Sequence, residues 1–198
     1  MRIIGGLYKG RRLGTVRGTI RPTSDRLRES LFDVLGTSVH GSSWLDLFAG
    51  SGAVGLEALS RGARQVVFND RDPGAIALLK KNLALCGIEI GYQVRNEDAF
   101  VALRRLAGKS AFDFIFLDPP YGYHRYRKLL ERVTEGDLCG PETTVILEIF
   151  KKQNLAILPS GLEIRRTLEG GDNLHLLLER RTDTDRHGRT RTETDKHG

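Results

Sequence analysis

The stretch Asp46-Leu47-Phe48-Ala49-Gly50-Ser51-Gly52-Ala53-Val54-Gly55 decides the fold. It contains the end of a short apolar run, Trp44–Leu47, and the start of a helical pattern over Val54–Arg61. Gly50, Gly52 and Gly55 satisfy G-x-G-x-x-G between a strand and a helix. A tight turn needs a residue without Cβ, and so does a ligand lying against the backbone. Asp70 ends the next strand-like run, 20 positions after Gly50, where a carboxylate can accept hydrogen bonds from ribose hydroxyls. These residues leave three readings open: a tight turn alone, a dinucleotide site of the NAD type, and a methyl-donor site. The acidic surroundings favour the third. Phosphates at a helix N-terminus want open N–H groups and positive charge. Carboxylates suit S-adenosylmethionine, which has no phosphate, a cationic sulfonium and an amino-acid end.

Outward from this loop the pattern repeats. Strand-like runs at Trp44–Leu47, Gln65–Phe68, Tyr92–Val94, Phe112–Leu117 and Thr144–Ile149 alternate with helical stretches at Val54–Arg61, Gly74–Cys86, Ala99–Ala107 and Tyr126–Thr134. Such alternation predicts βαβ units and a mostly parallel sheet covered on both faces, an α/β fold. Leu162–Thr167 and Leu174–Glu179, joined around Gly170 and Gly171, predict an antiparallel hairpin at one edge. Upstream, Leu27, Leu31, Val34 and Leu35 share one helix face, with Thr23 or Ser24 as cap, Asp25 in the first turn and Gly36 as the stop. Residues 1–13 read as two short strands around a glycine-containing turn. The expected organisation is a basic N-terminal hairpin over 1–20, one domain over 21–181 and a disordered tail over 182–198. That tail holds no Val, Ile, Leu or aromatic residue and repeats its 184–188 pentapeptide at 194–198 with one change. His187 and His197 within it read as solvated side chains rather than metal ligands.

The chain has 198 residues, enough for one domain with an extension. Its 39% hydrophobic share and 23 glycines exclude wholesale disorder. The net charge is +6, which favours anionic partners such as nucleic acid. Residues 1–30 alone carry Arg2, Lys9, Arg11, Arg12, Arg17, Arg21, Arg26 and Arg28 against Asp25 and Glu29. Cys86 and Cys139 stand apart without metal-ligand spacing, as in a reduced cytoplasmic protein. No segment approaches the ~18 apolar residues of a membrane span, and no signal-peptide pattern opens the chain. The expectation is a cytoplasmic monomer with no membrane contact.

A second stretch carries the chemistry. The apolar run Phe112–Leu117 leads straight into Asp118-Pro119-Pro120-Tyr121. Two prolines fix φ and supply no N–H, so the loop is stiff and its carbonyls are free. A rigid exit turn accounts for the prolines, but not for an acid and an aromatic flanking them where open α/β sheets bind ligands. An exocyclic amine is a poor nucleophile because its lone pair is delocalised into the ring. The Asp118 carboxylate and the Pro119 carbonyl can hold both amino hydrogens and turn that lone pair toward an electrophilic methyl group. Tyr121 offers a face for base stacking, worth about 1–3 kcal/mol. His124 reads as a loop or helix-surface residue. Asp98 follows the third strand-like run, either as a helix cap or as an acceptor for an adenine amino group.

With these residues set out, a resemblance can be stated. The tetrapeptide Asp118-Pro119-Pro120-Tyr121 is similar to the (D/N)PP(Y/F) signature of class I amino-methyltransferases. Arg2-Ile3-Ile4-Gly5-Gly6 with Gly10-Arg11, the segment from Arg21-Pro22-Thr23-Ser24-Asp25 to Phe32, and the stretch Asp46 to Ala63 narrow the match. Together they resemble the RsmD family of bacterial 16S ribosomal RNA guanine-N2 methyltransferases over about residues 1–180. The resemblance implies a Rossmann-like class I methyltransferase sheet with a reversed final strand, S-adenosylmethionine as donor, and 16S rRNA or the small ribosomal subunit as partner. It assigns the Asp46–Gly52 loop, with Phe48, Ala49 and Gly50, to the methionine end of the cofactor. It assigns Asp70 with Arg71 to the ribose, Asp98 with Ala99 to the adenine, and Asp118 to Tyr121 to the target base. It implies that the helix start at Arg21–Glu29 closes over the methionine side, and that Arg2, Lys9, Arg11 and Arg12 hold RNA backbone. No metal is implied. Gly170-Gly171-Asp172 departs from the Tyr-Gly of relatives and leaves packing at that edge open. The alternatives are a DNA adenine or cytosine amino-methyltransferase, against which the absence of a large insertion counts, and a non-catalytic RNA-docking module.

Overall fold

A computed structural model describes residues 1–15, 22–108, 111–135, 137–153 and 158–181. Helix α1 (Pro22–Leu35) precedes β1 (Ser43–Asp46), α2 (Ala53–Ser60), β2 (Gln65–Asn69), α3 (Pro73–Cys86), β3 (Tyr92–Arg95), α4 (Ala99–Leu106), β4 (Phe112–Leu117), α5 (Tyr126–Thr134), β5 (Cys139–Phe150), β6 (Leu162–Gly170) and β7 (Asn173–Arg180). The seven strands form one sheet in the order β3-β2-β1-β4-β5-β7-β6. β1 to β5 run parallel; β7 pairs antiparallel with β5, and β6 with β7. The C-terminal hairpin therefore joins the edge as the sequence predicts, with β7 inside and β6 outermost. Strand order reverses between β1 and β4, so a crevice opens at their carboxyl ends.

Strand alternation splits the core into two layers. Leu45, Leu47, Ile115, Leu117, Val145, Leu147, Leu176 and Leu178 pack under α4 and α5. Trp44, Val66, Phe68, Phe114, Phe116, Ile146 and Leu177 pack on the other face with Leu31 and Phe32 of α1 and with α2 and α3. Gly55 lets α2 sit close on β2, since a Cβ there would lie 2.2 Å from Phe68 Cε1. Gly170 does the same for α1, where a Cβ would lie 2.8 Å from Leu27 Cβ. The departure noted in the sequence is thus the seat of a helix.

Some local expectations are corrected. Thr23 and Ser24 lie inside α1, which starts with Pro22 at its first position, so neither is the residue before the helix. Proline suits that place because its missing N–H would have no helical partner. Gly36 ends α1 at φ +53°, but a short 3-10 turn over Gly36–Val39 follows. β5 is twice the expected length and starts at Cys139, with a register shift opposite Phe112 and Phe114. Residues 1–13 form a loop closed by one antiparallel bridge, Arg2 to Arg12, rather than two strands. Ile3 and Leu13 anchor it in the core, and Ile4 N–H and Gly5 N–H donate to the buried Glu57 carboxylate at 2.8 and 2.7 Å. Arg17, Arg21 and the 182–198 tail lie outside the described residues.

Candidate active site

The carboxyl ends of β1 to β4 gather the predicted acids on one edge. Asp46 ends β1; Asp70, Asp98 and Asp118 follow β2, β3 and β4. Buried Asn69 ties these loops together, its amide donating to the carbonyls of Leu47 (3.1 Å) and Glu97 (3.2 Å). Asn96 adds a bond to the Asp70 carbonyl at 2.8 Å.

Two cavities meet there. The larger, about 640 Å³, is lined by Leu47, Phe48, Gly50, Asp70, Arg71, Asp98, Ala99, Phe100, Asp118, Pro120, Tyr121 and Tyr123, among others. The smaller, about 240 Å³, is lined by Arg28, Asp46, Phe48, Ala49, Gly50, Asp118, Glu148 and His175, among others. Phe48, Gly50 and Asp118 belong to both. The fold thus brings the predicted Asp46, Phe48, Ala49, Gly50, Asp70, Arg71, Asp98, Ala99, Asp118, Pro120 and Tyr121 to one crevice. Gly52 and Pro119 do not appear in either wall. Gly52 is left-handed at φ +81°, and a Cβ on it would strike Leu79. Pro119 is buried.

Several acids do structural work as well. Asp70 accepts from Gly50 N–H and Asp72 N–H, both at 2.9 Å, and so holds the glycine loop against β2. Asp98 caps α4 through Phe100 N–H at 2.9 Å, and its residue also lines the larger cavity. Asp46 is 1% exposed; one carboxyl oxygen accepts from Gly55 N–H at 3.2 Å and the other has no partner. Burial first, and the Asp70 charge next, push its pKa up to about 7. Water in the cavities reaches Asp118, yet protein atoms crowd its carboxyl, and Glu148 and Asp46 add negative charge. All three push its pKa above the ordinary carboxylate range.

Aromatic side chains form the remaining wall. Tyr121 is 65% exposed and leans on Phe150, ring centroids 4.7 Å apart. Phe48, Tyr123 and Tyr126 meet edge to face at 5.9 and 5.3 Å. Arg125 lies over the Phe100 ring at 4.1 Å. His124 is exposed, as expected, and stands at the cavity mouth.

Sequence reasoning missed Glu148 and His175, and did not single out Arg28 within the Arg21–Glu29 helix start. Arg28 is 3% exposed and pairs with Asp25 at 3.1 Å and Glu57 at 3.9 Å. For Glu148 a signal existed: it follows Val145-Ile146-Leu147 as Asp118 follows Ile115-Phe116-Leu117. The predicted RNA contacts are spread along the N-terminal loop: Arg2 and Arg12 pair at its base, where the Arg2 carbonyl accepts from the cavity-lining Arg28 at 2.8 Å, and Lys9 and Arg11 lie toward its tip. Arg2, Lys9, Arg11 and Arg12 are exposed, but the loop tip rests on the C-terminal ends of α2 and α3. Leu7 N–H donates to the Ser60 carbonyl at 2.7 Å, and the Arg11 guanidinium bonds the Cys86 carbonyl and covers Tyr8.

Comparisons with known proteins agree with this geometry. The family described as conserved hypothetical protein 95 matches residues 1–178. Ribosomal RNA small subunit methyltransferase D of Haemophilus influenzae is 37% identical over 158 residues, covering 78% of this chain and 81% of that protein. The structure of the Escherichia coli protein yhhF superposes with a TM-score of 0.80 at 29% identity, over 92% of this chain and 99% of that one. The Thermus thermophilus 16S rRNA N2 methyltransferase RsmC, solved with AdoMet and guanosine, gives a TM-score of 0.67 at 25% identity, over 83% of this chain and 44% of that one. Acids, glycine loop, proline pair and sheet order thus fall together in a chain that belongs to the conserved hypothetical protein 95 family, that of ribosomal RNA small subunit methyltransferase D.

Proposed function

We propose that the protein methylates the exocyclic N2 amine of a guanine in small-subunit (16S) ribosomal RNA, in the cytoplasm, with S-adenosylmethionine as donor. One observation carries this reading: Asp118-Pro119-Pro120-Tyr121 stands where an acid-lined cavity and a smaller cavity with a buried, half-satisfied carboxylate meet. The residues fit the donor. The unpartnered Asp46 oxygen suits an ammonium, and Arg28 in the same wall suits a carboxylate, so the smaller cavity takes the amino-acid end. Gly50, with open space where a Cβ would stand, lets a ligand lie on the backbone. Asp70 and Asp98 supply acceptors for ribose hydroxyls and an adenine amino group; carboxylates keep acceptor sites beyond those the backbone uses. A dinucleotide would set its phosphates against these acids, which disfavours NAD. Bound there, the donor supplies an electrophilic methyl group on a sulfonium.

The chain's own residues do the rest. Asp118 and the Pro119 carbonyl accept the two amino hydrogens and orient the lone pair. The stiffness of the two prolines fixes that geometry before substrate arrives, and preorganised acceptors of this kind lower the barrier without a strong base. Tyr121, propped by Phe150, stacks on the base. Arg71 and Arg125 at the mouth meet phosphates beside the target nucleotide. Arg2 and Arg12 at the base of the N-terminal loop, and Lys9 and Arg11 toward its tip by the ends of α2 and α3, reach backbone further along, so folded RNA suits the surface better than a short strand.

The experiment is direct. The protein is incubated with labelled S-adenosylmethionine and separate pools of DNA, naked rRNA and small subunits from cells lacking the enzyme, and the labelled base is mapped. Label on guanine N2 of 16S RNA is expected. Label on DNA alone, or on no nucleic acid, would overturn the reading.

A further inference from the structure

The face of the sheet that lies under α1 carries a polar pair with no part in the scheme above. Phe116, Ile146 and Leu177 form one apolar row across β4, β5 and β7. The next row toward the carboxyl edge is polar. Leu117 pairs with Leu147, so Asp118 lies one residue further, beside Glu148. Glu148 in turn pairs across the sheet with His175. Both Glu148 oxygens are held: Asn173 Nδ2 donates to one at 2.6 Å, and His175 Nε2 meets the other at 2.8 Å. His175 is 2% exposed, sits edge-on to Phe116 at 5.6 Å, and its Nδ1 has no partner. All three residues, Asp118, Glu148 and His175, line the smaller cavity.

We propose that Glu148, held by His175 and Asn173, is a positioning residue that governs the charge of Asp118 during the reaction. The proposal rests on the reading of Asp118 as the acceptor for the target amine. Two neighbouring carboxyl groups resist ionising together. Asn173 and His175 hold the Glu148 carboxyl in place beside Asp118 on the next strand. A carboxylate accepts through both oxygens, whereas a protonated carboxyl sets an O–H against the amino group and loses acceptor capacity. Glu148 thereby sets the pH below which orientation of the amine fails. The other charged or titratable groups facing this point are Asp46 from β1, which acts in the same direction, Arg28 from α1, already engaged by Asp25 and Glu57, Met1 with its amino group in the same cavity wall, and Tyr126 from α5. Burial, the Glu148 charge and the Asp46 charge raise the Asp118 pKa, in keeping with this arrangement.

The test titrates the Asp118 carboxyl by carbon-13 NMR in the full chain, alongside the pH profile of kcat. Glu148→Gln is expected to lower the Asp118 midpoint by about one pH unit, the size of a partly screened unit charge on the adjacent strand. The acidic limb of kcat is expected to move down with it. Glu148→Asp keeps the charge and should leave the midpoint within about 0.3 units. His175→Phe, which frees the Glu148 carboxyl from one of the two groups that hold it beside Asp118, should also lower it, and serves if the glutamine variant does not fold. An unmoved midpoint in Glu148→Gln or His175→Phe, or an equal fall in Glu148→Asp, would overturn the proposal. If the wild-type protein methylates no RNA, the functional reading fails, while the NMR titration still decides the coupling of the two carboxyls.

Discussion

Asp118→Ala removes one oriented acceptor and little else, because Asp118 faces the cavities and not the core. It should cost about 10²–10³ in kcat, the usual size for one preorganised contact, with the fold retained. Single-turnover methylation of 16S RNA checks this, and near-normal turnover would contradict the role given to it. Asp46 makes a different prediction, on stability. Its pKa is about 7 in the folded chain, against an unperturbed value near 3.9. Between those values the folded state holds a proton that the unfolded state has released. Its contribution is therefore fully present below pH ~4 and is lost as pH rises toward 7. Asp46→Asn should match wild type near pH 4 and gain on it by several degrees in Tm at pH 8, without cofactor. Parallel melting profiles from pH 4 to 8 would contradict the assignment. The same variant should bind the cofactor's ammonium end more weakly.

The elements hold the site through a few close approaches. α1 carries Arg28 to the smaller cavity only because Gly170 lets Leu27 settle on β6. Gly170→Val should destabilise the fold by about 1–3 kcal/mol through overpacking, and should weaken cofactor binding as Arg28 is displaced. Thermal melts and calorimetry with S-adenosylhomocysteine check both effects together; a stable variant with normal affinity would show that α1 does not depend on that contact. Glu57 on α2 serves similarly from within, joining Ile4, Gly5, Arg61 and Arg28 at the start of the chain. The N-terminal loop is thus tied to the catalytic domain by a buried charge cluster.

At the scale of the whole molecule, two sets of cations that bear on RNA stand apart. Arg71 and Arg125 stand at the mouth of the larger cavity, whereas Lys9 and Arg11 lie near the far ends of α2 and α3. The eight residues of α2 alone separate these levels by about 12 Å of helix rise. Neutralising Lys9, Arg11 and Arg12 together should weaken binding of folded rRNA and lower its log–log salt slope by roughly 0.7–0.9 per lost phosphate contact. Binding of a short single strand and of the cofactor should stay unchanged. Filter binding across a salt series checks this; an unchanged slope for folded rRNA would remove the loop from the interface. Among the described residues no helix is long and apolar enough to cross a membrane.

The alternation of strands and helices, the glycine loop and the Asp118-Pro119-Pro120-Tyr121 turn were legible in the sequence, because each is a local pattern: periodicity, missing Cβ, fixed φ. Seven of the expected strand and helix runs needed only a residue of adjustment at one or both ends, and β4 and α5 needed none. The sequence also identified the acids after β1 to β4, since a parallel sheet places every strand's carboxyl end on one edge. What only the tertiary structure decided depends on pairing between distant strands. Glu148 became a neighbour of Asp118 through the β4–β5 register, and His175 joined them through the β5–β7 register, a long-range pairing that no local pattern encodes. Arg28 became a buried wall because α1 folds back over β6 and β7. The place of the N-terminal loop was likewise settled at long range: Glu57 and Ser60, more than 50 positions along the chain, fix where it must lie.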